Sequence, residues 1–352
     1  MKKDTFILFG ATGDLAREKI YPALKLIKGI NVIGYGRNSD VGSSLNSFDY
    51  IAGDYKNPEN LLNKLKSLKT QNLFFYLALP PVLYIDAIDF IKNNFKNYQT
   101  KIALEKPFGT DLSEALKIEK IINKYNPNDF YLIDHYLAKT IIRKIVSTKV
   151  NLERVKQIEL FILEHNDVSG RGYFYDQIGV IKDVGQNHLL NTIDRFFKTN
   201  SYYDFLKNTA YKKGSLILGQ YEGYDKTAGV KKGSRTPTFF SAGFKYNNID
   251  ITLKSGKGLD KTRVIFNIIS ISGQINKFSD SNKKNNSYQA HLMVIRDFIK
   301  SKNMYSLDLT SAVNSWKVIG KLEKDLLKSK LIIYPKKSSI DTIEKLFVGE
   351  YI

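Results

Sequence analysis

The 352-residue sequence contains no cysteine. That absence excludes a disulfide framework, thiolate-held zinc or iron–sulfur clusters, and a thiol nucleophile. Histidine is scarce at four residues, His135, His165, His188 and His291, so little material exists for a metal site and none is expected. Arginine is scarce too, supplying nine of the 54 basic residues, and the rest are lysine. Acidic residues number 35, which leaves a formal charge of +19. Such an excess raises the question of nucleic acid or a membrane surface. Base-edge reading leans on the arginine fork, whereas lysine is a hydrated point charge, and here the lysines are spread along the chain. A solvated lysine-rich surface without a nucleic-acid partner is the expectation. Long apolar runs are also missing. The longest, Leu73 to Ile85, is interrupted by Pro80-Pro81 and is too short to span a bilayer. The first residues carry Asp4 and only a brief apolar stretch, which argues against a secretory signal. The sequence therefore predicts a cytoplasmic protein with no membrane partner.

What is present suffices for a full core. Hydrophobic residues make up 43% and charged residues 25%, and the length suggests two compact domains. Early in the chain, short apolar runs alternate with helical spacing. Thr5–Gly10, Ile30–Tyr35, Leu73–Ala78 and Lys101–Leu104 read as strands; Leu15–Ile27 and Ile85–Phe95 read as helices. This alternation predicts a doubly wound parallel sheet of the α/β class over residues 1–140. From about Val155 the strand-like runs lengthen and alternate: Val155–Glu164, Ser215–Tyr221, Thr238–Tyr246, Asp250–Lys254 and Arg263–Ser270. Helical spacing returns at Gly179–Phe197, Ala290–Lys300 and Ser311–Lys328. Residues 141–352 are therefore expected to form an α+β domain with a mainly antiparallel sheet. The stretch Asp280–Ser287, rich in Lys, Asn and Ser, reads as a loop.

Four segments concentrate chemistry. The first strand runs into Gly10-Ala11-Thr12-Gly13-Asp14-Leu15, a glycine turn that lets the backbone approach a pyrophosphate, although it is not the full G-x-G-x-x-G pattern. The second strand ends in Arg37 rather than an acidic residue, which favours the 2′-phosphate of NADP over the ribose hydroxyls of NAD. Lys106 in Glu105-Lys106-Pro107-Phe108-Gly109 follows a parallel strand and so points into a ligand crevice. Asp134-His135-Tyr136-Leu137-Ala138-Lys139 packs a carboxylate, an imidazole, a phenol and an ammonium into six residues, and its last three polar groups could satisfy phosphate oxygens. Finally, Asp183, Asn187 and His188 lie on roughly one face of a predicted helix.

Taken in order, GATGDLAREKIYPAL, YLALPP, EKPFG, IDHYLAK, KDVGQNHLL, LGQYEGY, GSRTPT and SGKGL resemble the signature segments of the glucose-6-phosphate dehydrogenase family. The resemblance implies a Rossmann domain followed by an α+β domain. It also implies oxidation of C1 of glucose 6-phosphate to the 6-phospho-1,5-lactone with NADP, or NAD, as hydride acceptor, a step of pentose phosphate metabolism. By the same resemblance His188 is the general base and Asp134 the carboxylate that orients it. His135, Tyr136 and Lys139 hold the phosphate. Glu164 and Asp183 accept sugar hydroxyls, Lys257 binds substrate, and Lys106 positions substrate near the nicotinamide. Gly10, Thr12, Gly13, Leu15 and Arg37 fall on the dinucleotide site. The chain is shorter than typical members: Ser39–Asn46, Phe197–Lys213 and Gln274–Ser287 stand where longer helical or sheet segments would be. A homo-oligomer fits the family, and the shortened sheet leaves its interface open. Three alternatives stand beside this reading: a relative acting on another hexose phosphate, a sugar oxidoreductase of the glucose–fructose/inositol dehydrogenase type, and a non-enzymatic basic binding module.

Overall fold

The computed structural model describes residues 3–38, 48–54, 59–68, 70, 72–201, 204–280 and 288–348. The first apolar run becomes β1 (Thr5–Phe9), buried at every residue, as expected for a parallel strand covered on both faces. Beside it lie β2 (Asn31–Gly36), β3 (Asp49–Ala52), β4 (Asn72–Leu77), β5 (Gln99–Glu105) and β6 (Phe130–Ile133). All five neighbouring pairs among these six strands are parallel. β1 has β2 on one side and β4 on the other, so the winding reverses across the β1–β4 pair. In open α/β sheets such a switch point opens the ligand crevice at the carboxyl ends of the strands. Gly10, Arg37, Lys106 and Asp134 each follow directly on the carboxyl end of a strand of this sheet.

The expected helix Leu15–Ile27 is shorter and differently wound. A π-helical segment covers Ala16–Ile20, and an α-helical turn, Tyr21–Leu24, follows. Pro22 explains the change: its ring has no N–H and would clash with a carbonyl one turn back, which a wider turn relieves.

The second group of strands comprises β7 (Val155–Leu163), β8 (Ala210–Tyr211), β9 (Ile217–Tyr221), β10 (Phe239–Tyr246), β11 (Ile249–Gly256), β12 (Arg263–Ser270) and β13 (Ile275–Asp280). β14 (Ser306–Leu307) then pairs antiparallel with β6 at the edge of the first sheet. β15 (Leu331–Tyr334) pairs parallel with β9. The first sheet thus runs β14-β6-β5-β4-β1-β2-β3, and the second β13-β12-β7-β11-β10-β9-β15 with β8 paired to β10. The second sheet is mainly antiparallel, with β7–β11 and β9–β15 as its parallel pairs. β13 supplies one strand within Gln274–Ser287, where the sequence showed only a shortening. Residues 281–287 of the expected loop and the segment Ser39–Asn46 lie outside the described residues.

Two compact units emerge: Met1–Lys139 with Asn285–Val313, and Thr140–Lys284 with Asn314–Ile352. Division at residue 140 by sequence had placed Asn285–Val313 in the second domain. In the first unit the helix Gln289–Ile299 lays Phe298 edge-on against Phe74 and Tyr131, with ring centroids 5.4 and 5.0 Å away. In the second unit Phe196, Phe197, Phe205, Tyr246 and Phe266 form a continuous aromatic cluster.

Candidate active site

In the first unit the glycine turn closes tightly. Gly10 has φ +77°, and a Cβ there would stand 2.1 Å from the Ala78 carbonyl oxygen at the end of β4. Only glycine tolerates both the left-handed backbone and that approach. The Gly13 amide donates to the Gly10 carbonyl at 3.0 Å, leaving Gly13 exposed and Thr12 and Leu15 half-buried beside it. Arg37 is exposed just past β2. A bare, close-approach backbone at the switch point fits a dinucleotide pyrophosphate.

Asp134 ends β6 and caps the 3₁₀ turn His135–Ala138, its carboxylate accepting from the Tyr136 amide at 3.0 Å. The fold thereby turns six consecutive residues into one cluster. Lys139 Nζ lies 3.2 Å from the centre of the Tyr136 ring, and the His135 ring is 5.2 Å from that same ring. Lys106 follows β5 in a cis peptide with Pro107. Glu105 before it is buried and accepts from the Tyr76 hydroxyl, while the Tyr84 hydroxyl donates to its carbonyl. Burial pushes the Glu105 carboxyl up to about 7, against the opposing pull of Tyr76 and Lys106.

Two residues that the sequence reading passed over join this cluster. His291, on the helix Gln289–Ile299, is buried and stacks on His135 with centroids 4.7 Å apart. Burial, together with the charges of Lys19, Lys106 and Lys139, drives its imidazole down to about 3. Lys19 is the second. It sits in the segment after the glycine turn, and nothing in the sequence separated it from the other lysines. Three ammonium groups from separate stretches of chain thus act on one buried imidazole, which marks an anion-seeking region.

At the opposite, amino end of β5 a cavity is lined by Lys92, Tyr98, Lys101 and Asp129. Asp129 pairs with both lysines there, at 2.8 and 3.1 Å, and none of the predicted site residues lines it.

The second unit holds the remaining candidates. The helix Gly172–Val180 breaks at Gly179, whose φ of +61° and ψ of 174° are not helical. Beyond the break Ile181–Leu189 is a π-helix, continued by the α-helix Leu190–Asn200. The expected single helix Gly179–Phe197 is therefore a backbone break followed by a π-wound and then an α-wound stretch. π-Winding hydrogen-bonds residues five apart, which brings Asp183 and His188, at i and i+5, nearer to one line than an α-helix would. His188 is 2% exposed. Its amide donates to Asn187 Oδ1 at 2.7 Å, and its carbonyl accepts from the Thr192 hydroxyl at 2.7 Å.

Lys257, directly after β11, is 1% exposed and paired with two carboxylates, Glu164 and Asp183; the Asp183 contact is 2.9 Å. Its ammonium also stands 5.5 Å from the Tyr175 ring centre. Burial alone would lower its pKa, but the charges of Asp183 and Glu164 prevail and hold it above the ordinary lysine value. The structure thus brings Glu164, Asp183 and Lys257 together in the second unit, and His135, Tyr136, Lys139 and Lys106 into one charged region of the first. Asp134 belongs to the first unit and His188 to the second.

A family model described as glucose-6-phosphate dehydrogenase, NAD binding domain, matches residues 36–144, and one described as glucose-6-phosphate dehydrogenase, C-terminal domain, matches residues 141–197. The glucose-6-phosphate 1-dehydrogenase of Cyberlindnera jadinii is 31% identical over 336 residues, covering 73% of this chain and 67% of that protein. The chain belongs to the glucose-6-phosphate dehydrogenase family. Another member, from Aspergillus niger, is 28% identical and covers 75% of this chain, which in turn spans 66% of that relative's length. A solved structure described as glucose-6-phosphate dehydrogenase in complex with its substrate glucose-6-phosphate shares the fold at TM-score 0.80. It is 22% identical and covers 99% of this chain and 97% of that one. The myo-inositol dehydrogenase of Lactobacillus casei shares the fold at TM-score 0.62 with 12% identity, covering 94% of this chain and 96% of that one. No helix among the described residues is long and apolar enough to cross a membrane. Within the family matches, Arg37, Lys106, Asp134, His135, Tyr136 and Lys139 fall in the first region, and Glu164, Asp183 and His188 in the second. Lys257 lies beyond both.

Proposed function

We propose that this family member oxidises C1 of glucose 6-phosphate to 6-phosphoglucono-1,5-lactone in the cytoplasm, with NADP preferred over NAD. The observation that carries the reading is the cationic cluster of the first unit, in which the charges of Lys19, Lys106 and Lys139 all act on His291, the ring stacked on His135. Its charge and donors suit a phosphate dianion. A bound nicotinamide supplies the hydride acceptor. His188 takes the proton of the C1 hydroxyl as C1 loses its hydrogen with both bonding electrons, leaving the C1–O double bond of the lactone. Asp134 orients the imidazole and stabilises its charged form. His135, Tyr136 and Lys139 hold the phosphate, which places the sugar. Glu164 and Asp183 accept from sugar hydroxyls, and Lys257 serves substrate by keeping both carboxylates ionised and aligned. Lys106 positions C1, Gly10, Thr12, Gly13 and Leu15 shape the pyrophosphate site, and Arg37 meets the 2′-phosphate. A plant relative, 25% identical and named cytoplasmic, supports the location, and the likeness to family members supports a homo-oligomer, to be measured by sedimentation.

Initial rates with glucose 6-phosphate, free glucose and other hexose phosphates, each with NADP and NAD, test the reading. Turnover is expected with glucose 6-phosphate and NADP, and no turnover with any hexose phosphate would overturn it. His188→Asn is expected to reduce kcat by at least about 10³-fold while changing substrate binding little. An active variant would remove the assigned base.

A further inference from the structure

His291 is a buried titratable group that the proposed reaction does not use. Its ring is stacked on His135 at 4.7 Å with the planes 21° apart, and its Nε2 lies 3.7 Å from Glu105 Oε1. Among the described residues neither ring nitrogen has a hydrogen-bond partner. A histidine kept merely for packing would be expected to satisfy at least one nitrogen, because a buried polar atom left unmade is costly.

The charged and titratable groups facing it come from each neighbouring stretch of the first unit. Lys19 comes from the segment after the glycine turn and Lys106 from the end of β5. Lys139 and His135 come from the turn that Asp134 caps, with Tyr136 next to His135. The carboxylate facing His291 Nε2 is Glu105, which is itself bonded to Tyr76 and feels the charge of Asp134. Burial and the three ammonium charges keep the imidazole neutral, while burial keeps the Glu105 carboxyl protonated for much of the time near neutral pH. A phosphate dianion bound against those lysines would cancel the charge that opposes protonation of His291.

We propose that His291 is an additional recognition residue for the substrate's phosphate, gaining a proton as the dianion arrives and presenting an imidazolium stacked on His135. The inference rests on the sugar-phosphate reading above and adds to it a charge-sensing group. The proton comes from Glu105: its O–H bond breaks, an N–H bond forms at His291 Nε2, and the carboxylate left behind pairs with the new cation. No electrons are exchanged. Selectivity for a dianion follows, because a sulfate ester offers similar oxygens with a single charge.

With four histidines in the chain, nuclear magnetic resonance of the full-length protein reads the event directly. Ring nitrogens labelled with ¹⁵N, assigned through His165→Gln and His291→Gln, are titrated with pH with and without saturating glucose 6-phosphate, in the absence of coenzyme. His291 is expected to stay neutral in the free protein and, with ligand, to raise its midpoint from near 3 to above the value near 7 that burial gives Glu105, while His165 does not move. If the His135 signals move but His291 stays neutral, the inference is overturned and the phosphate reading stands. If neither moves, both fall. Kinetics give a second measure. His291→Phe keeps a stacked ring without the proton, and His291→Gln keeps a neutral donor. Each is expected to raise KM for glucose 6-phosphate about tenfold below pH 7 with kcat within about twofold, and to flatten the pH dependence of KM. An unchanged KM profile in both variants would also overturn the assignment.

Discussion

Glu105 shows how one buried side chain can tie a site to stability. Its carboxyl titrates near 7 in the folded protein, against an ordinary 4.5, because burial penalises the charged form. Between these values the folded state holds more protons than the unfolded one. The stability this gives is full below about pH 4.5 and is lost as pH rises through 7. The span corresponds to about 3 kcal/mol. His291 has the opposite slope: its folded value near 3 lies below the ordinary 6.5, so its contribution is gained as pH rises from 3 to 6.5. Because the two slopes oppose each other, a single variant is needed to see either. Glu105→Gln copies the protonated carboxyl at all pH values. Relative to the parent, it should become progressively more stable between pH 5 and pH 8 by thermal denaturation, and a difference that stays flat across that range would show that the carboxyl is not perturbed. Lys257 carries a different risk. Removing its ammonium leaves Glu164 and Asp183 as two close carboxylates with their shared cation gone. Lys257→Met is expected to cost about 3–5 kcal/mol in urea denaturation, with part of the loss recovered when Asp183→Asn is added. No loss would mean that the triad is not held together as described.

At the scale of elements, legibility followed periodicity. The strands β1, β2, β4 and β5 were readable because parallel strands are apolar on both faces and end at glycine or at the motif residues themselves. Winding was not readable. The π-helical stretches Ala16–Ile20 and Ile181–Leu189 carry apolar residues at spacings that an α-helix also satisfies, so only Pro22 and Gly179 hinted at a change. The chemical residues Asp134, His135, Tyr136 and Lys139 were visible as a string, and their clustering follows from the cap that Asp134 provides. Lys19 and His291 were invisible because they reach the cluster from segments far away in sequence, one of them more than 150 residues beyond His135. The glycine turn is the element where sequence and geometry agree most sharply. Gly10→Ala must place a methyl 2.1 Å from the Ala78 carbonyl oxygen while holding φ at +77°. The strand end has to move, so coenzyme affinity measured by fluorescence titration should fall by at least about tenfold; unaltered affinity would separate this turn from the dinucleotide.

At the scale of the molecule, the first unit is discontinuous in sequence. Residues up to Lys139 build six strands, and the segment Asn285–Val313 then supplies the edge strand β14 and the helix bearing Phe298. Phe298 touches aromatic rings from three strands: Phe6 of β1, Phe74 and Tyr76 of β4, and Tyr131 of β6. The same helix carries His291 about two turns earlier, so packing at Phe298 fixes the imidazole against His135. Phe298→Ala would leave a cavity among rings that cannot close it, at a cost of about 3–5 kcal/mol. Native-state hydrogen exchange locates that cost: amides of β4 and β6 should lose protection by about this amount, and the His135–His291 ring signals should lose their mutual shift. Unchanged protection in both strands would show that the sheet does not depend on the returning helix, and the position of His291 would then need another support.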